Sequence, residues 1–115
     1  MPLARTLAIG DIHGCYRALE TLASFAAFTD EDRIITLGDY VDRGPDSKRV
    51  IEWLIERYAT GRLVPLRGNH ELMMLAVRES EKYLSDWLAC GGSEVLRSYG
   101  SRGQEGIPEA HWMFL

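Results

Sequence analysis

Three short motifs carry the side chains of this chain that could do chemistry. They read GDIHG at residues 10–14, GDYVDRG at 38–44 and GNHE at 68–71. Carboxylates, imidazoles and an amide oxygen are all metal-ligating groups, so a fold that gathers them could bind divalent cations. Asp11 and His13 could bind the same ion if their segment is extended, because residues i and i+2 then point the same way.

The second and third motifs add groups for bridging, phosphate binding and proton transfer. A carboxylate has two oxygens, so Asp39 could bridge two cations, and Asn69 offers a neutral oxygen to the second. Arg43 presents a planar fork that suits a phosphoryl group. His70 diverges from its neighbour Asn69 and is free to donate a proton to a leaving group. A nearby Asp42 would orient His70 and favour its protonated form.

Each motif also has a purely structural interpretation when it is taken alone. Asp11 could cap a helix that starts in a polar loop. Asp42 and Arg43 could form a surface ion pair beside a helix N-terminus. Asn69 could be an N-cap next to a partly exposed histidine. The three motifs share one position in a repeating pattern, which favours the functional interpretation.

Strands and helices alternate along the chain. Apolar runs predict strands at 6–9, 33–37 and 62–66, and helical periodicity predicts helices at 15–28, 45–61, 71–78, 81–89, 94–99 and 108–115. Residues 45–47 read as a helix start with a capping side chain. The buried stripe predicted for that helix consists of Val50, Ile51, Leu54, Ile55 and Tyr58.

The spacing of the motifs indicates how they meet. Asp11 and Asp39 are 28 residues apart, and Asp39 and Asn69 are 30 apart, which is the length of one βαβ unit of about 30 residues. Such crossovers give parallel strands, so all three motifs are predicted at the carboxyl edge of one α/β sheet.

Composition bounds the class of protein. A chain of 115 residues, 46% of them hydrophobic, makes one domain at most. No apolar run approaches the roughly 20 residues of a membrane span, and residues 1–9, predicted as the first strand, reach the first motif too soon for a secretory signal. The net charge of −4 without a basic run argues against nucleic-acid binding. Cys15 and Cys90 make no disulfide framework, which predicts a cytoplasmic protein. Both cysteines are expected to be buried.

The unbroken motifs GDxHG, GDxVDRG and GNHE resemble the phosphoprotein phosphatase branch of the calcineurin-like metallophosphoesterases. The segments 87–92 (WLACGG) and 98–100 (SYG) resemble its bacterial serine/threonine phosphatases. The resemblance covers residues 1–115 but only the N-terminal half of a family domain, which implies truncation at the C-terminus. It implies an α/β fold, half of a four-layer α/β/β/α sandwich, with parallel strands in β-α-β-α-β-α order.

The resemblance also implies a division of roles. Asp11, His13 and Asp39 would hold a first metal ion, and Asp39 and Asn69 would begin a second site. The catalytic residues would be His70 as acid, Asp42 behind it and Arg43 on the phosphate, with Glu71 structural. The implied reaction is direct attack of metal-bound water on a phosphorylated protein or small phosphoester. The two divalent ions are predicted to be Mn²⁺, with Fe or Zn as alternatives.

Two residues bear on the substrate class. The similar dinucleoside tetraphosphatases usually carry Ala at the position of Asp42 and Asp at that of Glu71, so this chain favours the protein phosphatase type. Hydrolysis of dinucleoside tetraphosphates or small phosphoesters stays open, as does the oligomeric state.

The ligand set of the family is incomplete in these 115 residues. Its second metal requires two further histidines, and its phosphate site a second arginine. His111 lies in a predicted helix where it is expected to pack rather than to ligate, and nothing assigns Arg78, Arg97 or Arg102 to the site. We expect this chain alone to be inactive, with an unpaired sheet edge and an exposed apolar face. The competing hypothesis is a catalytically incomplete remnant that serves as an interaction partner.

Overall fold

A three-stranded parallel sheet forms the centre of the computed structural model, which describes residues 4–115. The strands are β1 (Thr6–Ile9), β2 (Arg33–Thr36) and β3 (Leu63–Pro65), in the order β1-β2-β3. Thr6 pairs with Arg33, and Ile34 pairs with Leu63. The predicted parallel sheet is therefore confirmed; residues 1–3, which the prediction included in the first strand, lie outside the described residues.

Helices follow each strand, which confirms the β-α-β-α-β-α order. They are α1 (Tyr16–Phe25), α2 (Ser47–Ala59), α3 (Asn69–Glu79), α4 (Leu84–Trp87), α5 (Ser93–Ser98) and α6 (Glu109–Phe114). Short 3₁₀ turns span Glu81–Tyr83 and Gln104–Gly106. The helix predicted over 81–89 is thus divided, and it continues into a π-type turn at Leu88–Gly92 that Gly91 bends with a φ of 108°.

Two predictions about α2 are wrong. Asp46 precedes the helix, but its side chain caps nothing, because its φ of −127° and ψ of 44° depart from the extended conformation of a capping residue. Tyr58 is 57% exposed rather than part of the buried stripe, since it lies in the last turn of the helix; its ring meets that of Phe114 edge-on. Val50, Ile51 and Leu54 are fully buried as predicted.

The sheet has one buried and one exposed face. Ile9, Ile34, Thr36 and Leu63 are buried on the face that the helices cover. On the opposite face, or just past the strand ends, Leu37, Val64 and Leu66 are 50%, 42% and 47% exposed. Parallel sheets are ordinarily covered on both faces; this one has an exposed face, but Thr6 and Arg33 lie on it beside Val64, so it is only partly the exposed apolar face that the sequence predicted.

Cys15 and Cys90 are both exposed and free, so the prediction that they are buried is wrong. Cys15 lies at the start of α1, and Cys90 lies in the turn after α4, where their side chains do not face the core. No helix within residues 4–115 is both long enough and apolar enough to cross a membrane.

Asp32 joins the start of β1 to the loop before β2. Arg5 donates from Nε to Oδ1 at 3.1 Å and from Nη2 to Oδ2 at 2.8 Å, and the Thr29 N–H donates to Oδ2 at 2.9 Å. These hydrogen bonds, led by that from Arg5, lower the pKa of Asp32 to about 2. The ordinary value is about 3.9 in an unfolded chain, so the folded state binds this proton less readily.

We expect Asp32 to stabilise the fold above about pH 4 and to lose that contribution as the pH falls toward 2. Asp32→Asn should lower the urea midpoint at pH 7 and flatten its decline between pH 5 and pH 2.5. Glu31→Gln is the matched control, because Glu31 is exposed and lies 3.8 Å from its partner Arg62. Parallel pH profiles for wild type and Asp32→Asn would contradict the assignment.

Candidate metal and phosphate site

The three motifs meet at the carboxyl edge of the sheet through direct backbone hydrogen bonds. The N–H groups of Ile12 and His13 both donate to the Asp39 carbonyl, at 3.1 and 2.9 Å. The chain turns at His13 and Gly14, with a φ of 42° at His13. The extended conformation assumed for residues 11–13 therefore ends at His13, whose backbone is left-handed; the side chains of Asp11 and His13 nevertheless lie close to Asp39.

Asp11, His13 and Asp39 form a cluster of potential metal ligands. One donor atom from each lies within 4.8 Å of the others. The Val41 carbonyl lies 2.9 Å from His13 Nδ1 and can only accept, so Nδ1 carries the proton and Nε2 is free to ligate. Two carboxylates with an imidazole are a donor set that suits a divalent transition metal.

Glu71 holds the second and third motifs together. Its Oε1 accepts from the N–H groups of Asp39 at 2.6 Å and Gly68 at 2.9 Å. Its Oε2 accepts from Tyr40 at 2.8 Å and Val41 at 3.4 Å. The side chain is fully buried, and its contacts are those of a structural residue, as predicted.

Four non-glycine residues of the first two motifs have backbones in the left-handed region. The φ angles are 42° at His13, 57° at Asp39, 75° at Asp42 and 73° at Arg43. For a non-glycine residue this conformation costs roughly 1–2 kcal/mol, so neighbouring contacts must hold it. A β-carbon added at Gly38 would collide with the backbone at Gly68, which shows how closely the loops after β2 and β3 pack.

His70 and Asp42 form a buried pair. His70 Nδ1 lies 2.7 Å from Asp42 Oδ2, and the two side chains are 7% and 0% exposed. The other oxygen, Oδ1, accepts from Trp87 Nε1 at 2.8 Å. Burial raises the pKa of Asp42, whereas the hydrogen bonds from His70 and Trp87 act in the opposite direction. This arrangement excludes the alternative of a surface ion pair between Asp42 and Arg43.

The His70 ring lies beside the metal-ligand cluster. It meets the His13 ring edge-on, with centroids 4.7 Å apart and planes at 81°. Because Nδ1 is bonded to Asp42, Nε2 is the nitrogen that remains for a substrate. The helix cap is Gly68 rather than Asn69, and His70 is buried, so the structural alternative for the third motif does not hold.

Arg43 and Asn69 follow or precede residues of the site in sequence, but neither is among the grouped metal-ligating side chains. Arg43 is exposed, and its guanidinium has no hydrogen bond to any residue within 4–115. Asn69 is exposed and precedes His70, whose N–H donates to Asp39 Oδ1 at 3.1 Å. The structure therefore groups Asp11, His13, Asp39, Asp42 and His70, and the roles of Arg43 and Asn69 stay predictions.

Other candidate residues are engaged elsewhere. Arg78 pairs with Glu109 and lies over the Trp112 ring, and Arg97 pairs with Glu94. His111 is buried, with Nδ1 at 2.7 Å from the Tyr99 hydroxyl, and burial lowers its pKa. It packs against Tyr99, as predicted.

Comparison with known proteins decides the family. The family model described as calcineurin-like phosphoesterase matches residues 4–111. The chain belongs to this family. Calcineurin-like phosphoesterases act with divalent metal ions, and Asp11, His13 and Asp39 have the chemistry to bind one.

Bacterial phosphatases are among the similar members of the calcineurin-like phosphoesterase family. Serine/threonine-protein phosphatase 2 of Escherichia coli is 37% identical over 100 residues, which is 86% of this chain and 44% of that protein. Serine/threonine-protein phosphatase 1 of Salmonella typhimurium is 39% identical over 77% of this chain and 39% of that protein. A symmetrical bis(5'-nucleosyl)-tetraphosphatase of Edwardsiella ictaluri is 45% identical over 63% of this chain and 25% of that protein. The chain thus spans less than half of these relatives.

Two crystal structures have the same fold. A putative diadenosine tetraphosphatase superposes with a TM-score of 0.56 at 27% identity, covering 75% of this chain and 42% of that chain. A mutant of a cold-active protein tyrosine phosphatase superposes with a TM-score of 0.55 at 25% identity, covering 79% of this chain and 34% of that chain.

Proposed function

We propose that the protein carrying this chain is a dimetal phosphoester hydrolase of the serine/threonine protein phosphatase type. The observation that supports it is the placement of the buried His70–Asp42 pair against the cluster of Asp11, His13 and Asp39. Such a site could bind cations at the cluster and supply a proton from His70, whose ring contacts that of His13.

In this proposal, Asp11, His13 and Asp39 hold one ion, and Asp39 and Asn69 begin the site for a second. Divalent ions bound there would make water a stronger nucleophile and neutralise charge on the phosphoryl oxygens. We propose that both ions are Mn²⁺; Fe or Zn would suit the same oxygen and nitrogen donors. The remaining ligands of the second ion would come from outside the 115 residues.

The other three residues act on the phosphate ester itself. His70 gives a proton from Nε2 to the leaving oxygen, while Asp42 holds Nδ1 and so fixes the orientation of the ring. Arg43 binds phosphoryl oxygens through its planar guanidinium. Proton delivery matters most for esters of weakly acidic alcohols such as serine.

A phosphorylated protein is the proposed substrate, and a dinucleoside tetraphosphate is the alternative. The identity of 45% to a symmetrical bis(5'-nucleosyl)-tetraphosphatase favours the second class over the region it covers. Asp42 with Glu71 favours the first. Rates on a phosphoserine peptide and on diadenosine tetraphosphate, compared at equal enzyme and metal, distinguish them.

We also propose a cytoplasmic location. Cys15 and Cys90 are free and exposed, and thiols in that state persist in reducing compartments. Fractionation of the native organism with detection of the protein tests this directly.

The function itself is tested by hydrolysis of an aryl phosphate. We expect the gene product that carries this chain to turn over phenyl phosphate only when Mn²⁺ is supplied, because the ligand cluster has no catalytic use without cations. Asp39→Asn should abolish turnover, since Asp39 is shared by both ions.

The 115-residue polypeptide should show little or no turnover. Asp30→Asn is the matched control, because Asp30 is an exposed carboxylate in the turn before β2. Metal-independent hydrolysis, or equal rates for Asp39→Asn and wild type, would overturn the proposal. Robust turnover by the 115 residues alone would overturn the expectation that ligands are missing.

A further inference from the structure

Trp87 contacts the candidate site from a distant part of the chain. It ends α4, is 1% exposed, and donates from Nε1 to Asp42 Oδ1 at 2.8 Å. An indole N–H can only donate, and a buried one requires an acceptor. Here the acceptor is the carboxylate that also binds His70.

The two oxygens of Asp42 are divided between two donors. Oδ2 lies 2.7 Å from His70 Nδ1, and Oδ1 receives the Trp87 N–H. A carboxylate bound at one oxygen can still rotate about its Cβ–Cγ bond. Bonds at both oxygens fix that rotation, and with it the direction in which His70 is held.

The turn after α4 supports the same loop. The Arg43 N–H donates to the Gly91 carbonyl at 3.1 Å, and a β-carbon at Gly91 would lie 2.5 Å from Arg43 N. A β-carbon at Gly92 would collide with the Trp87 ring. Asp42 and Arg43 both have left-handed backbones, so this contact stabilises a loop that is otherwise unfavourable.

We propose that Trp87 is a positioning residue for proton transfer: its indole N–H holds the Asp42 carboxylate, and through it the imidazole of His70. The expected effect on kcat rests on the proposed function, whereas the expected effect on the orientation of Asp42 and His70 does not. If Trp87 acts only by filling space, a ring without the N–H should serve equally well.

The test is Trp87→Phe in the gene product that carries this chain, supplied with Mn²⁺. Phenyl phosphate releases phenol, whose pKa is about 10, and depends on the proton donor; 2,4-dinitrophenyl phosphate releases a much more acidic phenol and depends on it little. We expect kcat for phenyl phosphate to fall about tenfold or more, the scale of a lost hydrogen bond to a charged group. For 2,4-dinitrophenyl phosphate, we expect kcat to change less than about twofold.

Trp112→Phe is the matched control, because Trp112 is a buried tryptophan in α6 that stacks with Arg78. It should change both rates equally and little. Replacing Trp87 by benzothienylalanine removes the N–H and keeps the shape, and it serves if Trp87→Phe does not fold. Equal losses on both substrates, or no loss on either, would overturn the inference.

A second measurement does not depend on turnover. In protein prepared without Mn²⁺, which is paramagnetic, the Nδ1 proton of His70 should give a low-field NMR signal in wild type, which shifts or disappears in Trp87→Phe and persists in Trp112→Phe. An unchanged signal in Trp87→Phe would overturn the inference. Absence of activity in wild type would overturn the proposed function instead, and the NMR result would still decide the role of Trp87.

Discussion

Replacing His70 by Asn should lower kcat on phenyl phosphate by about 10²–10⁴-fold, the range for loss of a general acid. The Asn amide can still donate to Asp42, so the buried carboxylate keeps a partner, but it has no proton to give from the position of Nε2. Mn²⁺ affinity should stay within about threefold of wild type, because His70 lies beside the ligand cluster and is not one of its three donors. Calorimetric Mn²⁺ titration and steady-state kinetics on the same preparation measure both quantities.

His111→Asn is the control for the histidine substitution. His111 is also buried, but it is bonded to Tyr99 and lies in α6, so turnover should be nearly unchanged. A loss of Mn²⁺ binding in His70→Asn that matches its loss of turnover would contradict the role of His70 as acid, because His70 would then be a ligand.

Replacing Glu71 by Gln should destabilise the protein and weaken metal binding together. One carboxylate oxygen becomes an NH₂ group, which then faces backbone N–H donors that have no other partner. Each buried donor left unsatisfied costs about 1–3 kcal/mol, and two donors meet each oxygen, so a loss of about 2–6 kcal/mol in unfolding free energy is expected. Urea unfolding, with and without Mn²⁺, measures the two effects.

Glu79→Gln, at the exposed end of the same helix α3, is the control and should change stability by less than about 0.5 kcal/mol. The Asp39 N–H is one of the donors to Glu71, so Glu71→Gln should also weaken Mn²⁺ binding in molecules that remain folded. A destabilised variant with unchanged Mn²⁺ affinity would show that the ligand cluster does not depend on this carboxylate.

The sheet and the gathering of the motifs followed from the sequence because both depend on local patterns. Apolar runs with βαβ spacing permit only a few arrangements, and the parallel order β1-β2-β3 is one of them. The Asp11–His13 geometry could not be predicted in this way. The turn depends on two N–H groups that reach the Asp39 carbonyl, which lies 26 or more residues away along the chain.

The contacts of Glu71 and Trp87 show the same limit. The sequence suggested a structural role for Glu71 but not that one carboxylate would bind N–H groups from two loops. Trp87 was noted only as part of a family segment, and its bond to Asp42 spans 45 residues. Its one local signal is the Gly-Gly pair that follows, which leaves room for a buried ring.

The cysteines and Tyr58 were predicted wrongly for a simpler reason. Free cysteines are usually buried, and helical periodicity says which face a residue such as Tyr58 occupies, but neither says how far the packed core extends along a helix. Tyr58 lies near the end of α2, Cys15 lies at the N-cap of α1, and Cys90 lies in the turn after α4. Burial at such positions depends on neighbours that only the three-dimensional arrangement specifies.

The close backbone contacts of the motif loops have a consequence for engineering. Gly38 packs on Gly68, and Gly91 packs on Arg43, with no space for a methyl group in either contact. The distance between these loops is therefore set by direct backbone-to-backbone contact. A motif taken alone from a relative would have to pack against loops of a different shape. Chimeras between members of this family should tolerate exchange of all the contacting loops as one block, and should fail when the loops are exchanged one at a time.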